Sequence, residues 1–337
     1  MSTVESLSSI SQQFAIYFGF PVFLAGIIGN CLNIVMFLSK KVFLHGPCQL
    51  YLLTASISSL FAVIFPLLLR ILIALQYDLT KTSLFFCKSR QYLGHVSILT
   101  ALTCVSLATI DRYLISCRDV RFRNMSKITF ARLLCVLTVV FWSLHGLPIV
   151  IMVNIYPAAG NQTVCANRSA IYGYYLNYFI ILILYNILPL SIFIIFGFLT
   201  WKNMRMVRRR QHFLPVNQRQ EHQLTKMLLL QIVSIGISTI PYTIYTLYSV
   251  ITSQIPQKDP LRVAKENLCA TVVNLVFYVN FAASFYIYFC SSRSVRNKFL
   301  VKLFSPCGRC QQLAHAISTV TPATGNNTRS NNMIAKR

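Results

Sequence analysis

The chain has 337 residues, of which 55% are hydrophobic and only 11% are charged, and its formal net charge is +24. A soluble globular domain carries about 25% charged residues, so this composition excludes an ordinary soluble protein and indicates an integral membrane protein. A large basic excess is also typical of nucleic-acid-binding proteins. This chain has no soluble domain that would hold such a site, and we expect no nucleic-acid partner.

Seven apolar runs follow one another along the chain, and each exceeds the roughly 20 residues that a helix needs to cross a bilayer. Residues 1–13 lack the basic segment of a signal peptide, so we predict that the first run is a true span. The sequence therefore predicts an all-α fold, a seven-transmembrane helix bundle within residues 14–290. The runs cover residues 14–38, 48–75, 88–117, 130–155, 172–201, 223–252 and 266–290.

The distribution of lysine and arginine sets the expected orientation. No basic residue precedes Lys40, whereas Lys40 and Lys41 directly follow the first run, so the positive-inside rule places the N-terminus outside and the C-terminus in the cytoplasm. This topology leaves eight of the 31 lysine and arginine residues outside. The net charge is thus mainly a topology signal, with added attraction to anionic membrane lipid. We expect a multi-pass plasma-membrane protein whose residues 1–13 are extracellular.

The third run joins two chemically distinct ends. It begins at Cys87 and ends at the triplet Asp111, Arg112 and Tyr113. A helix of this length is roughly 38 Å long, which places its two ends on opposite sides of the bilayer. Taken alone, such a run is equally typical of an ordinary membrane helix with a basic residue snorkelling at its inner end.

The second outer loop, about residues 154–172, contains Cys165. Most of the 11 cysteines lie within the spans or on the cytoplasmic side, where thiols stay reduced or become lipidated. Cys87 and Cys165 both hold extracellular positions and are the natural oxidised pair. Cys269 lies near the same face and is the main rival partner.

The same loop carries two glycosylation sequons, at Asn161 and Asn167. Glycans are added on the lumenal side of the membrane, so we expect both asparagines to carry them. The sequons at Asn124 and Asn326 fall on the cytoplasmic side in this topology, and we expect them to remain unmodified.

The segment that follows the seventh run, residues 291–310, has apolar residues near one face of a helix and basic residues elsewhere, which predicts a short amphipathic eighth helix at the membrane surface. It ends with Cys307 and Cys310. Such a pair is also typical of a zinc or redox half-site, but no second ligand pair is evident, so we expect palmitoylation. Residues 311–337 are polar and predicted to be a disordered cytoplasmic tail.

Together these features resemble the rhodopsin-like (class A) G-protein-coupled receptors, over about residues 14–310. The residue pattern is similar to that of invertebrate receptors of the FMRFamide-receptor-like neuropeptide type. The combination of seven spans, an eighth helix and the spacing from Cys87 to the charged triplet is specific, although the triplet alone is not. The resemblance is carried by Asn30, Cys87, Cys165, Asp111, Arg112, Tyr113, Trp142, Pro189, Pro241, Asn280, Ser284, Phe285 and Tyr288.

The resemblance implies a ligand-driven switch that activates a heterotrimeric G protein. Its residues would be Asp111, Arg112, Tyr113, Pro241 and Tyr288, together with an acid on the sixth span that contacts Arg112 in the inactive state. That acid would be Glu221, which stands at the depth of Arg112. A solvated loop acid beside His222 is the alternative interpretation of Glu221.

The chain departs from the family pattern at several switch positions. Ser58 stands where the family usually has an aspartate, which puts a sodium-type site in doubt. Ser238 and Thr239 stand where a Cys-Trp pair is usual, and Ser284 with Phe285 replaces Asn-Pro. Gly197 falls where the fifth span commonly offers a tyrosine. We expect the fold and the coupling end to be retained while the internal switch uses different residues.

The expected ligand is an extracellular peptide. Gly94 occupies the position where amine receptors carry an aspartate, and no lysine is visible in the middle of the seventh run, so a small amine and a retinal Schiff base are both disfavoured. Arg70 either snorkels to the headgroups or faces a cavity. The candidate ligand-binding residues are Arg70, Arg90, Gln91, Asn186, Tyr242, Tyr245, Asn274 and Tyr278, with Tyr92 beside them.

The alternative function from another class is a seven-span transporter or channel without G-protein coupling. Such proteins normally carry buried ionisable residues, broken helices near the midplane or internal repeats, and none is evident in the sequence. Six scattered histidines form no metal-ligand cluster or nucleophile–base pair, so we expect no enzyme activity, no cofactor and no metal site.

Overall fold

The structure is a computed structural model that describes residues 3–38, 46–117, 119–158, 162–208, 216–252, 255, 258–292 and 296, without the side chains of residues 158, 162 and 206–222. Short helical turns lie at Leu79–Thr82 and Val120–Arg123. The other elements are α1 (Thr3–Leu38), α2 (Pro47–Ala74), α3 (Leu84–Ser116), α4 (Ile128–Met152), β1 (Val153–Ala158), β2 (Gln162–Asn167), α5 (Ala170–Arg205), α6 (Val216–Thr252), α7 (Pro260–Ala282) and α8 (Ser284–Ser291).

Seven segments of the described chain qualify as membrane spans. The helices α1 to α6 are each long and apolar enough to cross a bilayer, and α7 with α8 forms a seventh span that bends by 52°. The predicted seven-transmembrane bundle is therefore confirmed. The predicted amphipathic helix, with Cys307 and Cys310, lies outside the described residues apart from residues 291, 292 and 296.

The centre of the bundle is α3. Its most apolar stretch is 72% buried, whereas the corresponding stretches of the other long spans are 22–44% buried. Small and polar residues such as Ser97, Ala101 and Ala108 fill its buried faces, so neighbouring backbones approach closely, as is typical of membrane helix packing. The cysteine and the charged triplet at the two ends of α3 therefore sit on the axis of the molecule.

The bend between α7 and α8 is a feature that the sequence does not predict, because no glycine or proline marks it. A bend disrupts the helical hydrogen-bond ladder and leaves carbonyl groups in need of donors. Asn30 supplies one, since its Nδ2 donates to the carbonyl of Phe281 at 2.7 Å, and Asn33 Nδ2 donates to Ser284 Oγ at 2.8 Å. Asn30 therefore lies on the face of α1 that packs against the seventh span.

The beginning of α1 also differs from the prediction. The apolar run starts at residue 14, but α1 begins at Thr3, because the polar residues before the run find partners on other spans. Ser11 Oγ donates to Thr271 Oγ1 at 2.9 Å, and Gln12 Nε2 donates to the Ala74 carbonyl at 2.7 Å. Part of residues 1–13 therefore lines the bundle as helix.

Two spans contain wide, π-helical segments, at Val63–Leu67 in α2 and at Tyr175–Ile187 in α5. The first contains Pro66, whose ring cannot donate a hydrogen bond and clashes with a regular helical turn, so a widened turn accommodates it. The ring lies against α3, where a Cβ added to Gly94 would be 3.5 Å away.

The segment between α4 and α5 forms an antiparallel hairpin of β1 and β2, in which Ile155 pairs with Cys165. The fourth apolar run was expected to stay helical to residue 155, but the helix ends at Met152. A disulfide joins Cys165 to Cys87 at the start of α3. Cys269 is a free, exposed cysteine, so the rival pairing is excluded.

Candidate functional site

The bundle has two ends, which we name by their chemistry. The disulfide end carries Cys87, Cys165 and the β-hairpin, and the Arg112 end carries the triplet that terminates α3. Two cavities open at the disulfide end, one between α5, α6 and α7 and the other between α1, α2, α3 and α7.

The first cavity, here called the tyrosine cavity, has a volume of about 320 Å³ and is lined by four tyrosines and by smaller polar and apolar residues, mostly from α5 and α6. Tyr174 and Tyr178 face it from α5, Tyr242 and Tyr245 from α6, and Asn274 from α7. Tyr242 also stacks on Phe277 at a centroid distance of 4.7 Å. This cavity therefore contains three of the predicted ligand-binding residues.

The second cavity, here called the arginine cavity, has a volume of about 750 Å³. Arg70 and Arg90 line it from α2 and α3, and Gln12, Asn267 and Thr271 line it from α1 and α7. Both arginines are half-buried. Of the two interpretations of Arg70, the structure thus supports the cavity and not snorkelling. Both volumes fall near or within the range typical of ligand sites.

The other predicted ligand-binding residues have different surroundings. Tyr278 is buried in the core beneath the cavities, whereas Gln91 is exposed and lines neither cavity. Asn186 is fully buried, donates to the Ile181 carbonyl at 2.6 Å and accepts a hydrogen bond from Thr243 Oγ1 at 2.9 Å. Asn186 therefore links α5 to α6 rather than facing a cavity.

A chain of two histidines and two tyrosines crosses α3, α4 and α5 beside the cavities. The rings of His95 and His145 approach through Nε2 and Nδ1 at 3.0 Å, His145 Nε2 lies 2.8 Å from the Tyr175 hydroxyl, and the Tyr185 hydroxyl lies 3.5 Å from His95 Nδ1. With both rings neutral, donation in a single direction along the chain satisfies every contact, either from Tyr185 through His95 and His145 to Tyr175 or in the reverse order. The sequence places these histidines 50 residues apart, so only the packing of α3 on α4 reveals the chain.

Trp142 packs in the same region of α4. Its indole is 8% exposed and its Nε1 donates to Thr103 Oγ1 of α3 at 3.0 Å. Trp142 therefore anchors α4 to α3.

In the middle of the bundle, Asn280 of α7 holds α6. Its Nδ2 donates to Thr239 Oγ1 at 2.9 Å, and its Oδ1 accepts from the Ser238 hydroxyl at 2.5 Å. Pro241 lies one turn further along α6. The two residues that replace the family's usual Cys-Trp pair therefore form the contact between α6 and α7.

Below Asn280 lies a small cavity of about 20 Å³ with Ser56, Ser59, Gln231 and Ser284 on its walls. This space is enough for one water molecule. The described residues that line it include no carboxylate. Tyr288 closes this region and donates a hydrogen bond to Gln231 Oε1.

At the Arg112 end, Asp111 binds Arg112. Arg112 Nη2 lies 2.7 Å from Asp111 Oδ2, and both side chains are almost fully buried. Ser126 Oγ, from the segment between α3 and α4, donates to the other carboxylate oxygen at 2.5 Å. Tyr113 packs edge-on against Phe196 of α5 at 5.4 Å. The side chain of Glu221 lies outside the described residues, so its contact with Arg112 stays a prediction.

The described residues contain no group of three or more histidine, cysteine or acidic side chains placed to hold a metal ion. The site combines two cavities at the disulfide end with a buried ion pair at the other. Buried hydrogen bonds between α6 and α7 lie between the two.

The comparison with known proteins assigns the family. A sequence model of the 7 transmembrane receptor (rhodopsin family) matches residues 29–288. The neuromedin U receptor homolog nmur-2 of Caenorhabditis elegans is 27% identical over 136 residues, which is 40% of this chain and 33% of the relative. The match thus spans about a third of the relative's length. Because the family model covers most of the chain, from α1 into α8, the protein belongs to the rhodopsin family of seven-transmembrane receptors.

Proposed function

We propose that this protein is a plasma-membrane receptor that binds an extracellular peptide at the disulfide end and activates a heterotrimeric G protein at the Arg112 end. The N-terminus is extracellular and the C-terminus cytoplasmic in this proposal, as the positive-inside rule indicates. The name of the nematode relative, a receptor homolog for neuromedin U, supports a neuropeptide as the ligand.

The proposal is supported above all by one observation: the cavities and the buried ion pair lie at opposite ends of the same helix bundle. Two ligand-sized cavities lie at one end, and a buried Asp111–Arg112 pair lies at the other. A buried ion pair is costly to form and sensitive to the loss of one partner. Ser126, in the segment between α3 and α4, also binds Asp111. A buried ion pair with such a contact is typical of a switch rather than of simple packing.

The proposed mechanism follows from the contacts that α6 makes with the ligand cavity and with α7. A peptide in the tyrosine cavity contacts α5, α6 and α7, and a shift of α6 stretches the bonds from Ser238 and Thr239 to Asn280. When α6 moves at its other end, Arg112 leaves Asp111 and a binding surface opens for the G protein. In the inactive state Glu221 would add a second acid to Arg112. A ligand drives this change only by binding the active arrangement more tightly.

The experiment is a reporter screen. Cells that express the receptor with a promiscuous G protein are exposed to a neuropeptide library, and the expected result is a response to one peptide class that disappears in cells expressing Arg112→Ala at equal surface density. A response that persists in Arg112→Ala would refute the coupling mechanism. Substrate flux in proteoliposomes without nucleotide exchange would support the transporter alternative.

A further inference from the structure

The arginine cavity contains two positive charges that the described protein does not neutralise. Arg70 and Arg90 line the same cavity and are both half-buried. The charge of Arg70 disfavours that of Arg90, and the carboxylate of Asp78 offsets part of this repulsion. Within the part of the chain that the structure describes, neither guanidinium makes a hydrogen bond or an ion pair. Holding two like charges together in a partly desolvated cavity is unfavourable, so the pair is suited to an anion that arrives from outside.

Two acidic side chains at the disulfide end, those of Asp78 and Glu266, have polar partners other than the two arginines. Asp78 caps a helical turn and lies 3.9 Å from Lys81. Glu266 binds Lys258 at 2.6 Å and Arg262 at 3.0 Å. None of the described residues that line the arginine cavity is acidic. Lys258, the third cation on its wall, already has Glu266 as its partner, and the two arginines remain as the open anion-binding groups.

We infer that Arg70 and Arg90 bind the carboxylate of the ligand. This inference rests on the proposed receptor function and specifies the chemistry of the ligand. The planar guanidinium group matches a carboxylate with two parallel hydrogen bonds, and a carboxylate placed between two such groups removes their mutual repulsion. A neutral amide at the same position would leave both charges without a counter-ion.

The neighbouring tyrosine cavity adds the second half of the ligand description. Thr271 in the arginine cavity and Asn274 in the tyrosine cavity lie one turn apart on α7. Tyr242 of the tyrosine cavity also lies within electrostatic range of Arg70. The two cavities therefore suit one ligand with a carboxylate beside an aromatic or apolar group. A peptide that ends in an aromatic residue with a free α-carboxyl fits this description, whereas an amidated peptide lacks the anion.

The test measures thermal unfolding of the purified receptor with a matched pair of probes, N-acetyl-phenylalanine and its C-terminal amide, which differ only in the carboxylate. At about ten times its dissociation constant the acid is expected to raise the unfolding temperature by about 3 °C, and the amide is expected to have no effect. A third probe, an amidated dipeptide of N-acetyl-aspartate and phenylalanine, separates a side-chain carboxylate from an α-carboxyl. Either acid acting alone identifies the source of the anion.

The variants locate the effect. Arg70→Gln and Arg90→Gln are expected to abolish the shift caused by the acid, and Arg262→Gln, which removes an arginine already paired with Glu266, is expected to retain it. Equal shifts with acid and amide, no shift with any probe in the wild type, or a shift that survives in the Arg70→Gln/Arg90→Gln double variant would overturn the inference.

The unliganded variants give a second, independent measurement. If the two arginines only repel each other, Arg70→Gln without ligand should unfold at the same temperature as the wild type or higher. A structural role for Arg70 predicts the opposite sign, and a clear drop would also overturn the inference. No G protein takes part in these measurements, so they succeed or fail separately from the proposed coupling function, which the reporter screen tests.

Discussion

At the scale of single residues, the proposed switch depends on the contact between Ser238 and Asn280. The Ser238 hydroxyl lies within hydrogen-bond distance of Asn280 Oδ1 on α7 and of the Ser234 carbonyl on its own helix. Its single proton is shared between these acceptors. The residue thus ties α6 to α7 at the level where the family usually uses a different pair.

The change Ser238→Ala removes this tie and has a matched control. Interhelical hydrogen bonds in membranes contribute about 0.6 kcal/mol on average, so basal signalling should rise about threefold, because the inactive contact is weakened. Ser106 is equally buried at 5% exposed, but its hydroxyl bonds only Leu102 of its own helix. Ser106→Ala should leave basal signalling unchanged, measured with a reporter at equal surface expression. Equal effects of the two changes would refute a special role for Ser238.

At the scale of elements, the disulfide fixes the hairpin of β1 and β2 to the start of α3. It closes a separation of 78 residues, for which the chain-entropy model gives about 4.5 kcal/mol of stabilisation. Cys87→Ser should therefore lower the unfolding temperature and the amount of receptor at the cell surface. Cys269→Ser, at a free cysteine, should change neither. If the two serine variants express equally, the hairpin does not depend on the disulfide.

The elements also show how far the sequence determines the fold. The spans follow from local apolar length, and the widened turn at Pro66 follows from the geometry of proline. The bend after Ala282, the hairpin and the histidine chain depend on partners far away in sequence. The donor that stabilises the bend, Asn30, lies 251 residues from the carbonyl that it binds. The hydrophobic periodicity of the sequence does not indicate a contact between such distant residues.

In the candidate site, too, local properties of the sequence predict some features, whereas others depend on contacts with distant residues. Residue type alone predicted Arg70, Arg90, Tyr242 and Tyr245 as ligand-binding residues, because charged and aromatic groups are rare inside a membrane bundle unless they face a cavity. It missed Tyr174 and Tyr178, which face the tyrosine cavity from α5. Side-chain direction could not be predicted. It decides that Asn186 binds Thr243 instead of facing a cavity and that Gln91 is exposed.

At the scale of the whole molecule, the orientation in the membrane has a direct consequence for glycosylation. Glycans are added only on the lumenal side, so Asn161 and Asn167 should carry them while Asn124 and Asn326 should not. Glycosidase treatment should shift the wild-type protein on a gel, and the double change Asn161→Gln/Asn167→Gln should abolish that shift. A remaining shift that disappears only with Asn124→Gln would reverse the proposed topology.

The central claim is that a ligand-controlled bundle exposes Arg112 to a G protein. The most direct measurement is guanine-nucleotide exchange on purified heterotrimeric G protein by the receptor in lipid nanodiscs, compared with Arg112→Ala at matched thermal stability. The account predicts that the wild type accelerates exchange and that Arg112→Ala reduces the rate to that of empty nanodiscs, since Arg112 forms part of the coupling surface. Equal exchange rates for the wild type and Arg112→Ala would contradict the account.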